Sequence, residues 1–418
     1  MESMSCDVLV VGGGMVGAAI AAVLGQTGFE VIVLEKHLPA PFDAQSAHDL
    51  RVSALSLSSQ GVLEAVGAWP RLAAMRICPF RRMRVWDQGG RGETNFDAAL
   101  LGEPVLGHIV ENRLVQQALL DVLRELDTVR VIEGAVPERL EVGAEQAIVH
   151  LTDGRRLRAR LVVGADGAGS RLRELAGLGM SARDYDMHAF VASVRTAQGQ
   201  QDITWQRFTP QGPQALLPLG GPHASLVWYD TPATVARLEQ LDDEALIDTF
   251  ERHFPSELGR IEAIERRGHF ALRRMHVHDY VAPRVALAGD AAHTIHPLAG
   301  QGVNLGFLDA AALAEVIHTA RTEGRDIGSM RVLRRYERWR KADNHLMQTG
   351  MDVFHHVFRP QNLPLRLVRN LGLTLAERLK PIKALSLRHA TGRRPFLPRL
   401  AYGLALESLE GRGAPCLE

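Results

Sequence analysis

The stretch Asp7-Val8-Leu9-Val10-Val11-Gly12-Gly13-Gly14-Met15-Val16-Gly17 decides the fold. Five residues ending in four apolar ones read as a buried strand. Gly12 to Gly17 reads as a tight turn, and Met15 to Thr27 as a helix stopped near Gly28. Val31 to Leu34 is the next strand, closed by Glu35. Strand, helix and strand form a βαβ unit, which implies a parallel sheet with a right-handed crossover. The turn fits G-x-G-x-x-G. Gly12 permits the turn, Gly14 lets backbone approach a pyrophosphate, and Gly17 lets helix and strand pack closely. The helix N-terminus then faces the negative phosphates. Glu35 stands where a carboxylate can accept hydrogen bonds from both ribose hydroxyls. The unit therefore predicts dinucleotide binding, without separating NAD from FAD.

Working outward, Asn112 to Leu126 has helical apolar spacing, and Leu157 to Val163 reads as a strand ending in Gly164-Ala165-Asp166-Gly167. From about Asp184 to Phe270, short alternating runs such as Ala215–Pro218 and Ala224–Tyr229 predict an antiparallel sheet. Arg284 to Ala288 returns to a buried strand and leads into Gly289-Asp290. Leu308 to Thr319 and Val332 to Phe358 then read as helices. The expected fold class is α/β: a Rossmann-type domain with an inserted antiparallel β-sheet domain and a helical C-terminal segment. We assign 1–75, 100–180 and 281–345 to the nucleotide domain. Residues 76–99 and 181–280 go to the substrate sheet, and 346–418 to the C-terminal segment.

The run Gly289 to Leu305 is the most specific. A strand delivers Asp290, Pro297 breaks the local helix, Gly300 and Gly302 open the backbone, and a helix begins around Val303. Its free N–H groups would stabilise negative charge on a reduced flavin. Packing or hydrogen bonding is the expected role of His293.

These motifs resemble the single-component FAD-dependent aromatic monooxygenases, the superfamily of para-hydroxybenzoate hydroxylase. Three match in order: the glycine turn, Gly164-Ala165-Asp166-Gly167 with Ser170 and Arg171, and Gly289-Asp290. They span nearly three quarters of the chain. Asp49-Leu50-Arg51-Val52-Ser53-Ala54-Leu55, Glu111-Asn112-Arg113, Leu217-Pro218-Leu219 with Val227-Trp228, and the His296 to Asn304 run resemble the ubiquinone-biosynthesis hydroxylases within it. The resemblance implies FAD as cofactor, NADPH or NADH as electron donor and O2 as cosubstrate. It implies a flavin C4a-hydroperoxide attacking the ring of a polyprenylated phenol or quinol, at ring carbon 5 or 6 rather than 1. It gives Gly12, Gly14, Gly17, Glu35, Arg51, Arg113, Asp166, Asp290, Gly300, Gly302, Val303 and Asn304 as cofactor contacts. His296, beside Pro297, is the candidate catalytic base, which would help ionise a phenol. Hydroxylation of a small aromatic catabolite and an idle FAD-binding scaffold are the alternatives. No Trp-x-Trp-x-Ile-Pro halogenase signature occurs.

Composition bounds the rest. The chain has 418 residues, long enough for two or three domains. Lys plus Arg and Asp plus Glu are 48 each, which argues against a generally basic nucleic-acid binder. Three cysteines without C-x-x-C spacing point to a reducing compartment. No H-E-x-x-H or paired-Cys pattern appears, so no metal is expected. No apolar run reaches the length of a membrane span. A cytoplasmic protein is expected, with peripheral contact at the inner face of the cytoplasmic membrane, a homo-oligomer and a ubiquinone-biosynthesis complex left open. Residues 359–399 carry ten basic groups against Glu377, among many leucines. Such a segment suits either an anionic membrane surface or a helix packed on its own domain.

Overall fold

The structure, a computed structural model, describes residues 3–88, 92–199, 202–254, 259–294, 302–358, 372, 377 and 379–406. The opening βαβ unit forms as expected. Strand β1 (Ser3–Val11) lies at the centre of a sheet, parallel to β2 (Val31–Glu35) on one side and to β11 (Arg156–Gly164) on the other. Beyond them lie β8 (Val129–Glu133), parallel to β2, and β18 (Val285–Leu287), parallel to β11. The hairpin partner β17 (Val281–Ala282) closes that edge. β9 (Pro137–Val142) and β10 (Ala147–Leu151) add an antiparallel flap to β11.

Helix α1 (Met15–Gln26) is apolar all round because it is enclosed all round: Gly17 to Gly25 are all buried. It packs on α4 (Asn112–Leu123) and α8 (Gly302–Thr322). Gly25 has no room for a side chain, since a Cβ would stand 2.3 Å from Val129 Cγ2. α4 ends three residues before the expected Leu126. α8 starts at Gly302, one residue before the Val303 that the glycines indicate and six before the apolar run from Leu308; Gly302, Val303 and Gly306 line a cavity.

The second sheet runs in the order β19 (His293–Thr294), β16 (Ile261–Val277), β12 (Met180–Thr196), β15 (His223–Asp230), β14 (Pro213–Pro218), β13 (Ile203–Phe208), β5 (Arg82–Asp87) and β6 (Glu93–Asp97). It is antiparallel with one correction: β5 and β13 run parallel. No hairpin links those two, because β5 arrives from a distant segment. A second correction concerns Ile77–Phe80, expected in this sheet with the rest of 76–99. It forms β4 of a separate three-stranded sheet with β7 (Gly107–Glu111) and β3 (Val52–Ser56).

The two faces of the large sheet pack against different partners. Phe190, Leu226 and Trp228 pack under α6 (Pro232–Gln240) and α7 (Asp243–His253), with Leu246 and Phe250. The alternate residues Val191, Val227 and Tyr229 turn toward the nucleotide domain.

Helix α9 (Met330–Phe358) lies across α8. The described C-terminal residues pack on the body. Leu387, Leu397 and Leu400 are buried, Arg393 pairs with Glu103 at 2.7 Å, Arg394 with Asp343, and Lys383 with Glu377 at 2.8 Å. Residues 359–371, which hold much of the basic Leu-rich run, lie outside the described residues.

Burial pushes His108 and His276 down to about 4 from the usual 6.5, the charges of His293 and His345 adding to the effect at His276. Above pH 6.5 both folded and unfolded chains hold these rings neutral. Between 6.5 and 4 the unfolded chain takes up protons that the folded one refuses, so stability is lost as pH falls through that window. Thermal unfolding followed from pH 7 to 4 should show a steep fall in Tm. The double replacement His108→Gln with His276→Gln should flatten it.

Candidate active site

The glycine turn behaves as its chemistry requires. Gly12 has φ +100°, and a Cβ there would stand 2.5 Å from the Ala165 carbonyl oxygen. A Cβ on Gly17 would collide with the Gly12 carbonyl oxygen. At Gly14 a Cβ would meet nothing within 4 Å, because the backbone there faces open space. That space is a cavity of about 470 Å³ at the start of α1. Two helix N-termini meet it, those of α1 at Gly14 and α8 at Gly302, so the N–H ends and positive dipole ends of two helices converge there. The opening admits a pyrophosphate at the backbone, so the residues present fit a dinucleotide.

The opposite wall is apolar. Val191, Leu217, Val227, Tyr229, Phe270 and Leu272 come from four neighbouring strands of the large sheet. Burial pushes the Tyr229 hydroxyl well above its ordinary range, so it stays protonated. One side of the cavity is thus polar backbone and the other hydrophobic. A second cavity, of about 610 Å³, is larger but touches none of the three glycine motifs.

The residues expected from sequence divide into those facing the cavity and those turned away. Arg51, Asp290, Gly302 and Val303 line it with Gly14. Arg51 stacks over Phe270, its guanidinium carbon 5.5 Å from the ring centroid. Asp290 is open to water yet sunk within the cavity. Burial there raises its carboxyl above the usual range, while the charges of His293 and Arg51 oppose the shift. Glu35 accepts hydrogen bonds from the Gly13 N–H at 2.7 Å and the His37 N–H at 3.0 Å, so it orders the turn. The Asp166 carboxylate caps the helix α5 (Arg171–Leu175), accepting from the Arg171 and Leu172 N–H groups. Its neighbours Ala165 and Gly167 line the cavity instead. Arg113 pairs with Glu111 at 3.2 Å and is not among the lining side chains. Asn304 is buried: it accepts from the Ser56 N–H and the Ser59 hydroxyl and donates to the Ala54 carbonyl. It ties α8 to β3 and α2 (Leu57–Ala65) beside the cavity. His296, Pro297 and Gly300 lie outside the described residues.

Sequence reasoning missed the group that holds Asp290 in place. Asp309, in α8, is fully buried. It accepts from the Gly289 N–H at 3.0 Å, bonds His293 Nε2 at 2.5 Å, and accepts from Arg340 Nε at 2.8 Å and Asn344 Nδ2 at 3.0 Å. Burial alone would push its carboxyl up. The charges of His293 and Arg340, with their hydrogen bonds, outweigh that and hold it far below the carboxylate range. Gly289 and His293 flank Asp290, so one carboxylate fixes the loop from both sides. An Asp amid alanines in a helix was the available signal, since an unpaired charge is not kept in such a setting.

A family model described as an FAD binding domain matches residues 5–347. The chain belongs to this family of FAD-dependent monooxygenases. Its cofactor is FAD, and NAD(P)H and O2 are the usual partners of the class. The chain is 44% identical over 392 residues to 3-demethoxyubiquinol 3-hydroxylase of Escherichia coli (strain K12), covering 94% of this chain and 100% of that one. It is 37% identical over 403 residues to ubiquinone hydroxylase UbiL of Rhodospirillum rubrum, covering 96% and 93%. It is 33% identical over 426 residues to the mitochondrial ubiquinone biosynthesis monooxygenase COQ6 of Homo sapiens, covering 90% of each chain. The crystal structure of p-nitrophenol 4-monooxygenase PnpA from Pseudomonas putida DLL-E4 superposes with a TM-score of 0.76. It covers 94% of this chain and 100% of that one at 21% identity, which establishes a shared fold.

Replacing Asp309 with Asn leaves Arg340 and His293 buried beside a neutral amide. Removing one partner of a buried ion pair costs about 3–5 kcal/mol. Asp309→Asn should lower the unfolding free energy by about that much and weaken FAD retention. Denaturant titration and flavin-release fluorescence measure the two.

Proposed function

We propose that this flavoenzyme hydroxylates the ring of a polyprenylated quinol in ubiquinone biosynthesis. The observation that carries the reading is a cavity with a glycine-lined, helix-terminated side and an apolar side, in a chain whose relatives are named for ubiquinone precursors. Ring carbon 5 or 6 is favoured over 1 by the resemblance of Arg51-Val52-Ser53-Ala54-Leu55.

Bound FAD would supply the redox chemistry, in which two electrons from NAD(P)H reduce O2 so that one oxygen atom enters the ring and the other leaves as water. The chain's own residues bind, orient and exclude water. The Gly14 backbone and the start of α1 would hold the pyrophosphate, with Glu35 at the ribose and Asp290 at the ribityl chain. Arg51 offers a cation to the phosphates or ribose. The wall of Val191, Leu217, Val227 and Phe270 would cover the ring and keep water from the reacting atoms. Tyr229, protonated in that wall, can hydrogen-bond a quinol hydroxyl and fix which carbon faces the flavin.

A long prenyl chain resides in lipid, so peripheral contact with the inner face of the cytoplasmic membrane is part of this proposal. Membership of a ubiquinone-biosynthesis complex and a homo-oligomer are compatible with it. No helix among the described residues is long and apolar enough to cross a membrane. The basic composition of 359–399 supports the contact.

Purified holoenzyme given a demethoxyubiquinol-type prenylquinol, NAD(P)H and isotopically labelled O2 should place one labelled oxygen in the ring for each NAD(P)H consumed. Oxygen that ends only as peroxide would sink the reading. His296→Asn should lower turnover while FAD stays bound. Unchanged turnover would remove His296 as the base.

A further inference from the structure

The cavity of about 610 Å³ lies between loop 44–48, the three-stranded sheet and the ends of β15 and β16. Three side chains on it converge from distant parts of the chain. His48, His223 and Glu265 place their ligand-capable atoms within 4.8 Å of one another. His48 is 8% exposed, lines the cavity, and makes no hydrogen bond among the described residues. His223 Nδ1 is sealed from water and lies 3.1 Å from Glu265 Oε1, yet its geometry makes no hydrogen bond. A protonated His223 ring would make this an ordinary ion pair, and a cation shared by the two atoms would satisfy both equally. Ligands about 2.0–2.1 Å from a tetrahedral ion stand about 3.3 Å apart; the His223–Glu265 separation of 3.1 Å is close to that, and the full cluster, which spans up to 4.8 Å, would contract around the ion. The two imidazole rings stand 4.6 Å apart, tilted by 41°, which leaves room for both to face one point.

The surrounding charges permit a dication. Arg76 and Arg113 are the nearest cations, but both pair with buried Glu111, at 3.1 and 3.2 Å. Arg113 also lies 4.0 Å from Asp49. With Glu265, three carboxylates face two guanidinium groups.

We propose that His48, His223 and Glu265 form a binding site for a divalent transition ion of the zinc class, its fourth position open to water in the cavity. Nothing in the spacing along the chain could show it, because residues 48, 223 and 265 meet only in the fold. The ion would clip the loop that leads to Arg51 onto β15 and β16, the strands that carry Val227, Tyr229 and Phe270 to the other cavity. Its role is therefore to pin the flavin-side loop to the substrate wall. It takes no part in oxygen transfer.

The test uses tag-free holoenzyme, stripped with chelator and dialysed against zinc, then against buffer. One zinc per chain should remain by elemental analysis, with a raised Tm. Cobalt in its place should give the strong visible bands of a four-coordinate site. His48→Asn, His223→Asn and Glu265→Gln should each bind zinc at least about 10-fold more weakly while keeping FAD. His278→Asn, remote from the cluster, should bind like the parent. Wild-type protein that retains no zinc and shows no four-coordinate cobalt spectrum overturns the proposal, whatever the variants do. So does retention unchanged in His48→Asn and His223→Asn.

Discussion

The structure depends on one buried carboxylate. Asp309 sits where no water can reach it and bonds four partners from two segments: Gly289 and His293, which flank Asp290, and Arg340 and Asn344 of α9. An unpaired charge in that place would be prohibitively costly, so it is tolerable only when all partners are present. That makes it cooperative. The loop, α8 and α9 assemble together or not at all, and Tyr336 extends the same junction by donating to the Leu287 carbonyl at 2.8 Å. The position of Asp290 is thus inherited from a helix–helix contact behind it.

The cavity in front combines two physical demands. A dinucleotide needs exposed N–H groups and close backbone approach, which glycine turns and helix starts supply. A ring to be oxidised needs a dry, shaped surface, which alternate residues of a sheet supply. Each demand is met by the secondary structure suited to it, and Arg51 stacked on Phe270 joins the two sides.

How much of this was legible in the sequence follows from range. The βαβ unit was readable because glycines, apolar runs and Glu35 signal within thirty residues. The start of α8 at Gly302 was placed to within one residue, because glycines announced it. The alternation of β14 and β15 announced a sheet. What could not be read depends on contacts across hundreds of residues. The parallel pairing of β5 with β13 is one case, and the departure of Ile77–Phe80 to another sheet is a second. The internal bonds of Asp166 and Asn304 are a third: motif position placed both near the cofactor, and the folded chain adds that Asp166 caps α5 and Asn304 ties α8 to β3 and α2. Asp309, Arg340 and Asn344 formed no local pattern, although a buried charge always demands a partner.

Strands β12 and β16 run side by side for most of their 17 residues each. At one end, Met275 and His276 of β16 pair with Thr294 and His293 of the loop that follows Asp290. A few residues earlier, Phe270 and Leu272 of the same strand form the apolar wall. The gap between the flavin-side loop and the wall is therefore set by a count of residues along one continuous strand. A strand behaves as a ruler of fixed pitch, about 3.3 Å per residue. An insertion or deletion between Phe270 and His276 would change that reach by a whole ruler mark and turn every later side chain to the opposite face.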